Sequence, residues 1–237
     1  MNLKLVHPLA LSLLIGLPLQ AQVQLFEADM SGIVPHAGFK WNQAIQEWSV
    51  GLEYTLDGRT TFGFDYVKPL ADTINFDKTL KAYTINPYAI FEFIEPDNLK
   101  TFSFAIRADF LHENTTKDEV TAGDTAMLNN FRRSSIGGGP IFALRIFSSE
   151  KLVMIPAASY EFFYVTFQRN ELNSLSGTFS EDNVIWHDAV GSCAFHYRFS
   201  EFTGITFEPK LTVQIGEGRS TKDLINVSTK FGFVRAF

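Results

Sequence analysis

The sequence predicts an all-β fold, an antiparallel transmembrane β-barrel of about ten strands, with eight strands as the alternative. Apolar and polar residues alternate with a period of two through most of the chain, which is typical of strands with unlike faces. Beyond the N-terminal segment no apolar run is long enough for a membrane-spanning helix. The composition is 46% hydrophobic and only 19% charged, with 24 Phe among 237 residues, and this is a low charge content for a soluble globule. The net charge of −6 argues against a nucleic-acid partner.

The N-terminus has the pattern of a secretory signal peptide. Lys4 precedes the apolar run Leu9–Leu19, and the small residue Ala21 follows at the position expected for cleavage. We therefore predict a signal peptide at residues 1–21 and an exported barrel domain at residues 22–237. The single cysteine, Cys193, excludes intramolecular disulfides and multi-cysteine metal sites.

Nine strands follow from the alternation, and the clearest hairpin turns at Asp57-Gly58, a dipeptide that tight hairpin turns favour. A tenth strand, predicted at Ser31–Phe39 before a loop at Trp41–Gln46, makes the number even. An even number places both chain ends at the same end of the barrel. The nine predicted strands are Glu47–Leu56, Thr61–Tyr66, Ala82–Ile94, Thr101–Leu111, Arg133–Phe147, Leu152–Phe167, Ile185–Phe199, Thr203–Ile215 and Leu224–Phe237.

The connectors between these strands alternate between short and long. This asymmetry is typical of membrane barrels, which have short turns on one side and longer loops on the other. The short connectors are Asp57-Gly58, Glu95–Lys100, Ser148–Lys151 and Ser200–Phe202, and the long polar ones are Lys68–Lys81, Glu113–Arg132, Arg169–Asn183 and Gly216–Asp223.

A soluble barrel of the lipocalin type would show the same alternation with its apolar residues inside. Aromatic residues near the strand ends and full charges on the polar faces favour a membrane barrel with a polar interior. Four prolines, Pro87, Pro140, Pro156 and Pro209, fall on the apolar faces within strands. Because proline cannot donate to a strand ladder, we predict bulges at these positions.

The last eight residues, Lys230–Phe237, resemble the C-terminal signal of bacterial outer-membrane β-barrel proteins. Lys230, Gly232 and Phe237 match that signal, whereas Arg235 stands where it has a hydrophobic residue. The resemblance extends to the architecture of residues 31–237 and identifies no subfamily. It implies location in the bacterial cell outer membrane, contact with outer-membrane lipids, and recognition by periplasmic chaperones and the barrel-assembly machinery. We expect a monomer.

The polar strand faces assign a set of charged side chains to the lumen. A barrel of ten strands is only modestly wider than the eight-stranded kind that side chains fill, so these charges should pair. We expect Arg107 and Asp109 to meet opposite charges across the lumen. A plugged interior is favoured over a narrow solute or ion channel. The predicted lumen charges are Glu53, Asp65, Glu92, Arg107, Asp109, Arg145, Glu161, Asp188, Arg198, Glu208, Lys210 and Lys230.

The sequence offers weak evidence for catalysis. In His112-Glu113 and His187-Asp188 a histidine adjoins a carboxylate, but neighbours on a strand point to opposite faces. Ser134, Ser135 and Ser192 are possible nucleophiles, and no spacing links any of them to a histidine. We predict no catalytic residues, cofactor or metal, and a structural or surface-interaction role. A narrow channel, or a lipid-modifying or proteolytic enzyme at the outer rim, is the alternative.

Overall fold

The computed structural model describes residues 30–41, 46–70, 80–94, 102–120, 126–147, 149, 151–172, 177–215 and 225–237. The predicted signal peptide lies outside the described residues. No helix in these ranges is long and apolar enough to cross a membrane.

The described residues form one closed antiparallel barrel. Each strand pairs with its neighbours in sequence, and β1 pairs with β11 to close the wall. The two-residue β7 continues β6 past Arg145, so the wall counts ten strands and confirms the predicted fold. The strands are β1 (Gly32–Trp41), β2 (Gln46–Leu56), β3 (Thr60–Pro69), β4 (Leu80–Ile94), β5 (Phe102–Val120), β6 (Ala126–Leu144), β7 (Ile146–Phe147), β8 (Leu152–Leu172), β9 (Gly177–Ser200), β10 (Thr203–Ile215) and β11 (Ile225–Ala236).

Both termini of the barrel lie at the end that carries the tight turns after β2 and β9, here called the short-turn end. There the backbone N–H of Phe237 donates to the carbonyl of Ser31 at 3.0 Å. The opposite end is formed by the hairpin β5–β6 and its neighbours β8 and β9, and we call it the long-hairpin end. The even number of strands explains why the chain begins and finishes at the same end.

Several predicted boundaries were wrong at the long-hairpin end. Trp41 and Gln46, predicted as loop, are the last residues of β1 and the first of β2 and pair with each other. The predicted connectors Glu113–Arg132 and Arg169–Asn183 are strand over most of their described length. These parts of the strands continue the ladder, but their sequence does not alternate regularly between apolar and polar residues.

The prolines need no bulge, contrary to the prediction. Pro87 stays in register with Phe64 on β3, while the ladder to β5 is interrupted between Ile85 and Tyr88 and resumes unshifted. Pro209 likewise pairs with β11, and the ladder to β9 has a gap beside it. Each proline therefore loses pairing on one side only, which is where its missing N–H would have donated.

The two faces of the wall differ sharply. Outward side chains are mostly large and apolar, and Ile136, Ile185 and Phe93 each leave more than 60% of their surface exposed. Inward side chains include buried charges such as Glu161, which is 0% exposed. The barrel is thus apolar outside and polar within, the arrangement of a membrane barrel rather than a lipocalin.

Candidate functional site

The lumen holds the predicted charged residues. All twelve side chains lie on the inward face of their strands; nine are buried, and Glu92, Asp188 and Arg198 are half-buried. Alternation along the strands places them there, since every second residue points inward.

The central charge network consists of Glu53, Tyr88, Arg107, Asp109 and Lys230. The Glu53 carboxylate accepts hydrogen bonds from the Tyr88 hydroxyl and from Lys230 Nζ. The Arg107 guanidinium lies 3.9 Å from the centroid of the Tyr88 ring. It also donates twice to Asp109, at 2.6 and 2.7 Å. The network thereby links four strands across the middle of the lumen.

The pairing within this network corrects one prediction. Arg107 and Asp109 were expected to meet opposite charges across the lumen, but they bind each other along β5. Side chains two residues apart on one face start roughly 7 Å apart at their backbones, and the long Arg107 side chain spans that distance. Glu161 on β8 interacts electrostatically with Arg107 without a direct ion pair.

Two inward glycines make space for large polar groups. A Cβ on Gly63 would lie 2.1 Å from Cζ of Tyr88, so the ring occupies the volume that a side chain would need. A Cβ on Gly51 would lie 2.3 Å from both His36 Nε2 and Asp65 Oδ1. These small residues let the polar groups meet inside a narrow barrel.

His36 and Asp65 form a second buried pair, with Nε2 and Oδ1 2.5 Å apart. The other ring nitrogen, Nδ1, lies 3.1 Å from the carbonyl of Val34 and must donate to it, because a carbonyl only accepts. His36 could be found from the sequence only by its position: it lies on the inward face of β1, a strand whose apolar and polar residues alternate weakly.

Three further buried groups carry atoms without hydrogen bonds. Within the described part of the chain, Lys210 Nζ, Glu208 Oε1 and Glu161 Oε2 lack a hydrogen-bond partner. Lys210 interacts electrostatically with both carboxylates. Ser159 donates to the other oxygen of Glu161 at 2.9 Å. Buried polar atoms of this kind usually bind ordered water.

The short-turn end of the lumen contains a cluster of buried apolar side chains, here called the apolar floor. The floor was not predicted from the sequence, because the strand that contributes most to it is apolar on both faces. On β8 the inward residues are Val153, Ile155 and Ala157, and the outward ones are Met154 and Pro156. The floor is formed by Val34, Ile90, Ala105, Ile141, Ala143, Val153, Ile155, Ala157, Ala194, Val234 and Ala236, which pack with Tyr88 of the network.

A smaller cluster, the aromatic cap, lies toward the long-hairpin end. Phe163, Val165 and Trp186 are buried together, with Phe167 packed against them. The Arg133 guanidinium lies 5.3 Å from the Trp186 ring centroid and pairs with Glu113 at 2.7 Å. Within the described residues, no group of three or more His, Cys, Asp or Glu side chains could hold a metal ion.

The residues of the C-terminal signal occupy different environments. Lys230 points into the lumen, and a Cβ on Gly232 would lie 2.8 Å from Val34. Phe237 points outward with 64% of its surface exposed, and its ring stacks on Tyr54 with centroids 6.4 Å apart. Their role in assembly stays a prediction.

The outer face of the wall brings together one pair that the sequence did not link. His112 Nδ1 and Ser134 Oγ are 2.9 Å apart across β5 and β6. No spacing in the sequence links Ser134 to a histidine; the register between β5 and β6 brings it beside His112. His187 packs outward against the Phe162 ring at 4.9 Å, while Asp188 points inward, so these two neighbours are separated as predicted.

Comparison with solved structures places this architecture. The translocator domain of the autotransporter NalP from Neisseria meningitidis superposes with a TM-score of 0.56 at 9% identity, over 90% of this chain and 91% of that chain. The fold is that of the bacterial outer-membrane β-barrels. The outer-membrane protease OmpT from Escherichia coli has a TM-score of 0.47 at 7% identity, covering 88% of this chain and 95% of its own. No family profile and no curated protein sequence matches the chain.

Proposed function

We propose that this chain resides in the bacterial outer membrane as a closed barrel with a structural or surface-interaction role, and that it does not conduct solutes. The observation that carries the proposal is the presence of three groups of buried, inward side chains. These are the apolar floor, the central charge network and the aromatic cap. A solute would have to displace buried ion pairs, which costs several kcal/mol for each charge left alone.

The outer surface supports the membrane location. On β5 the outward side chains are apolar from Phe102 to Phe110 and become polar at His112 and Asn114. Phe102 to Phe110 is nine residues, and a tilted strand needs about 9–11 residues to cross the hydrocarbon core. The apolar belt of this strand therefore matches a bilayer in height.

Aromatic residues cluster at both edges of this belt. Near the long-hairpin end, Tyr66 packs on Trp48 and Tyr83, with ring centroids 6.0 and 6.4 Å apart. At the short-turn end, Phe237 stacks on Tyr54. Two such girdles at the membrane interfaces are a hallmark of membrane barrels.

The orientation follows from the turns. We place the short-turn end in the periplasm and the long-hairpin end outside the cell, as in barrels with short periplasmic turns. Export by the signal peptide at residues 1–21, escort by periplasmic chaperones and insertion by the barrel-assembly machinery are parts of the same proposal. The domain at 22–237 would then contact outer-membrane lipids as a monomer.

The strands beyond the belt supply the surface for interaction. The β5–β6 ladder continues to the pair Val120–Ala126, which lies roughly 25 Å along the strand from His112. On the neighbouring β8 and β9, Thr166 donates to Asn183 at 2.8 Å. This polar, hydrogen-bonded sheet would project from the membrane surface.

Conductance in planar bilayers tests the closed lumen. We expect folded wild-type protein to show no steady ohmic current. A triple variant that truncates one side chain in each of the three groups should raise the current. It combines Ile155→Ala, Arg107→Ala and Trp186→Ala. Insertion is verified for both proteins by the gel mobility of unboiled samples. Stable unitary conductance of the wild type would overturn the closed lumen and favour the narrow channel.

A further inference from the structure

The pair His112 and Ser134 joins an imidazole to a hydroxyl on the outer face of the wall, where the neighbouring contact pairs the Thr166 hydroxyl with the Asn183 amide. The two residues are direct cross-strand partners on β5 and β6, and Nδ1 of the histidine lies 2.9 Å from Oγ of the serine. Both side chains are part-buried, and neither points into the lumen. A serine within hydrogen-bond reach of an imidazole is the minimal arrangement for an activated nucleophile.

The pair sits at the upper edge of the apolar belt. The outward row directly below it contains Phe110, Ile136 and Tyr164, whose exposed fractions are 44, 64 and 51%. One row above it, Arg132 points outward and is exposed. Residues two apart on one face are separated by roughly 7 Å, so apolar, nucleophilic and cationic groups follow one another up the wall.

We propose that Ser134 and His112 hydrolyse the acyl ester of an anionic lipid in the outer leaflet. The apolar row would contact the acyl chains and Arg132 the phosphate, which places the ester between them, beside Ser134. This inference adds an activity to the proposed function and relies on its membrane placement. The shared ligand chemistry is a fatty acyl ester close to a phosphate, found in glycerophospholipids and in lipid A.

The reaction needs only water as co-reactant. Ser134 Oγ attacks the ester carbonyl carbon while its proton passes to His112 Nδ1, and the alcohol leaves with that proton. Water then attacks the acyl-serine ester and gives a proton to the same nitrogen. The fatty acid departs, and Ser134 recovers its proton. The net change is ester plus water to alcohol plus fatty acid.

Asn114 is the candidate for orienting His112. For Nδ1 to accept the serine proton, the ring must carry its own proton on Nε2. Asn114 follows two residues later on the same face of β5, and its Oδ1 has no hydrogen-bond partner within the described residues. We assign it as a positioning residue: the structure has no hydrogen bond between Nε2 and Oδ1, and the proposal requires this bond to form when substrate binds.

Lipid hydrolysis by purified, folded protein tests the proposal. Fatty acid release is measured from phosphatidylglycerol–phosphatidylethanolamine vesicles and, separately, from lipopolysaccharide aggregates. Release from the vesicles supports glycerophospholipid as the substrate, and release from lipopolysaccharide supports lipid A. Ser134→Ala and His112→Ala should each lower the rate by at least ~100-fold. Ser135→Ala is the matched control, because this adjacent serine is buried on the inward face and should keep wild-type activity.

Two further measurements separate catalysis from structure. A fluorophosphonate probe should label Ser134 in the wild type and in Ser135→Ala, and peptide mass spectrometry locates the label. Asn114→Ala should lower hydrolysis at neutral pH and shift its pH profile. Asn114→Asp, which keeps an oxygen acceptor at this position, should show higher activity at neutral pH than Asn114→Ala. Arg132→Gln should raise KM for the anionic lipid and leave hydrolysis of a neutral diacylglycerol unchanged.

The proposal is overturned if folded wild-type protein neither hydrolyses these lipids nor reacts with the probe. It is also overturned if Ser134→Ala retains the wild-type rate. Failure of the proposed function would look different, because a conducting barrel could still label at Ser134 and release fatty acid.

Discussion

Removal of a buried charge should be costly in this lumen. Arg107 is 2% exposed, donates twice to Asp109 and stacks on Tyr88. Arg107→Ala removes the buried ion pair with Asp109 and the contact with the Tyr88 ring, and we expect a loss of about 3–5 kcal/mol in the free energy of unfolding. Urea unfolding from lipid vesicles, followed by tryptophan fluorescence, measures the change.

The control is a partly exposed ion pair of the same type. Arg133 pairs with Glu113 with about a fifth of its side chain exposed, so Arg133→Ala should lose only about 1 kcal/mol, including its contact with Trp186. A near-neutral Arg107→Ala would contradict the dry, paired lumen and indicate that water screens the network.

Gly63 and Gly191 form a second matched comparison. A Cβ on Gly63 would collide with the Tyr88 ring, whereas one on Gly191 would meet nothing within 4 Å. Gly63→Ala should therefore destabilise the barrel by about 1–3 kcal/mol, and Gly191→Ala should be neutral or slightly stabilising. Midpoints of urea unfolding report both values. Equal midpoints for the two variants would mean that Tyr88 is not held against Gly63.

At the scale of the elements, the proposed orientation of the barrel predicts which strand ends can be reached from outside the cell. In a Cys193→Ala background, Glu181→Cys on the exposed end of β9 should react with a membrane-impermeant maleimide on intact cells. Arg59→Cys, in the tight turn after β2, should react only after the outer membrane is permeabilised. The reverse pattern would invert the barrel in the membrane.

The extended strands explain why loop length was misjudged. On β5 the alternation is clear while one face meets lipid and the other the lumen, and it fades after Leu111. Beyond that point the strand keeps its partner on β6 as far as Val120. Hydrogen bonding between strands continues without lipid, but the sequence signal for a strand comes from unlike faces.

At the scale of the whole molecule, a substitution of the C-terminal residue distinguishes an effect on assembly from an effect on stability. Phe237 stacks on Tyr54 but remains 64% exposed, so Phe237→Ser should change the free energy of unfolding of refolded protein by no more than about 1 kcal/mol. If the assembly machinery reads this aromatic residue, the same variant should accumulate several-fold less in the outer membrane. Cell fractionation and immunoblotting measure that level, with Phe233→Ser as a control for loss of an exposed aromatic.

Equal outer-membrane levels of Phe237→Ser and wild type would show that the C-terminal resemblance has no part in assembly. A large loss of stability in vitro would instead show that the terminal ring holds the barrel closed.

The candidate site was predictable in composition but not in pairing. Strand parity placed Arg107, Asp109 and Glu53 inside from sequence alone, since alternate residues of a strand face opposite sides. The partners of Glu53, which are Tyr88 and Lys230, depend on the register between strands and on the space left by Gly63, which no local pattern encodes. The apolar floor was missed because the inward Ile155 and its outward neighbour Pro156 give no contrast between faces.

The sequence by itself determined the class of fold, the side of the wall that each strand residue faces and the position of the tight turn at Asp57-Gly58. Each of these follows from local alternation and turn composition. Tertiary structure alone decided that Lys230 meets Glu53, that His36 meets Asp65 and that His112 faces Ser134. The physical reason is that barrel closure sets the stagger of strands far apart in sequence. A shift of two residues keeps every face unchanged, yet it would give each of these cross-strand contacts a different partner.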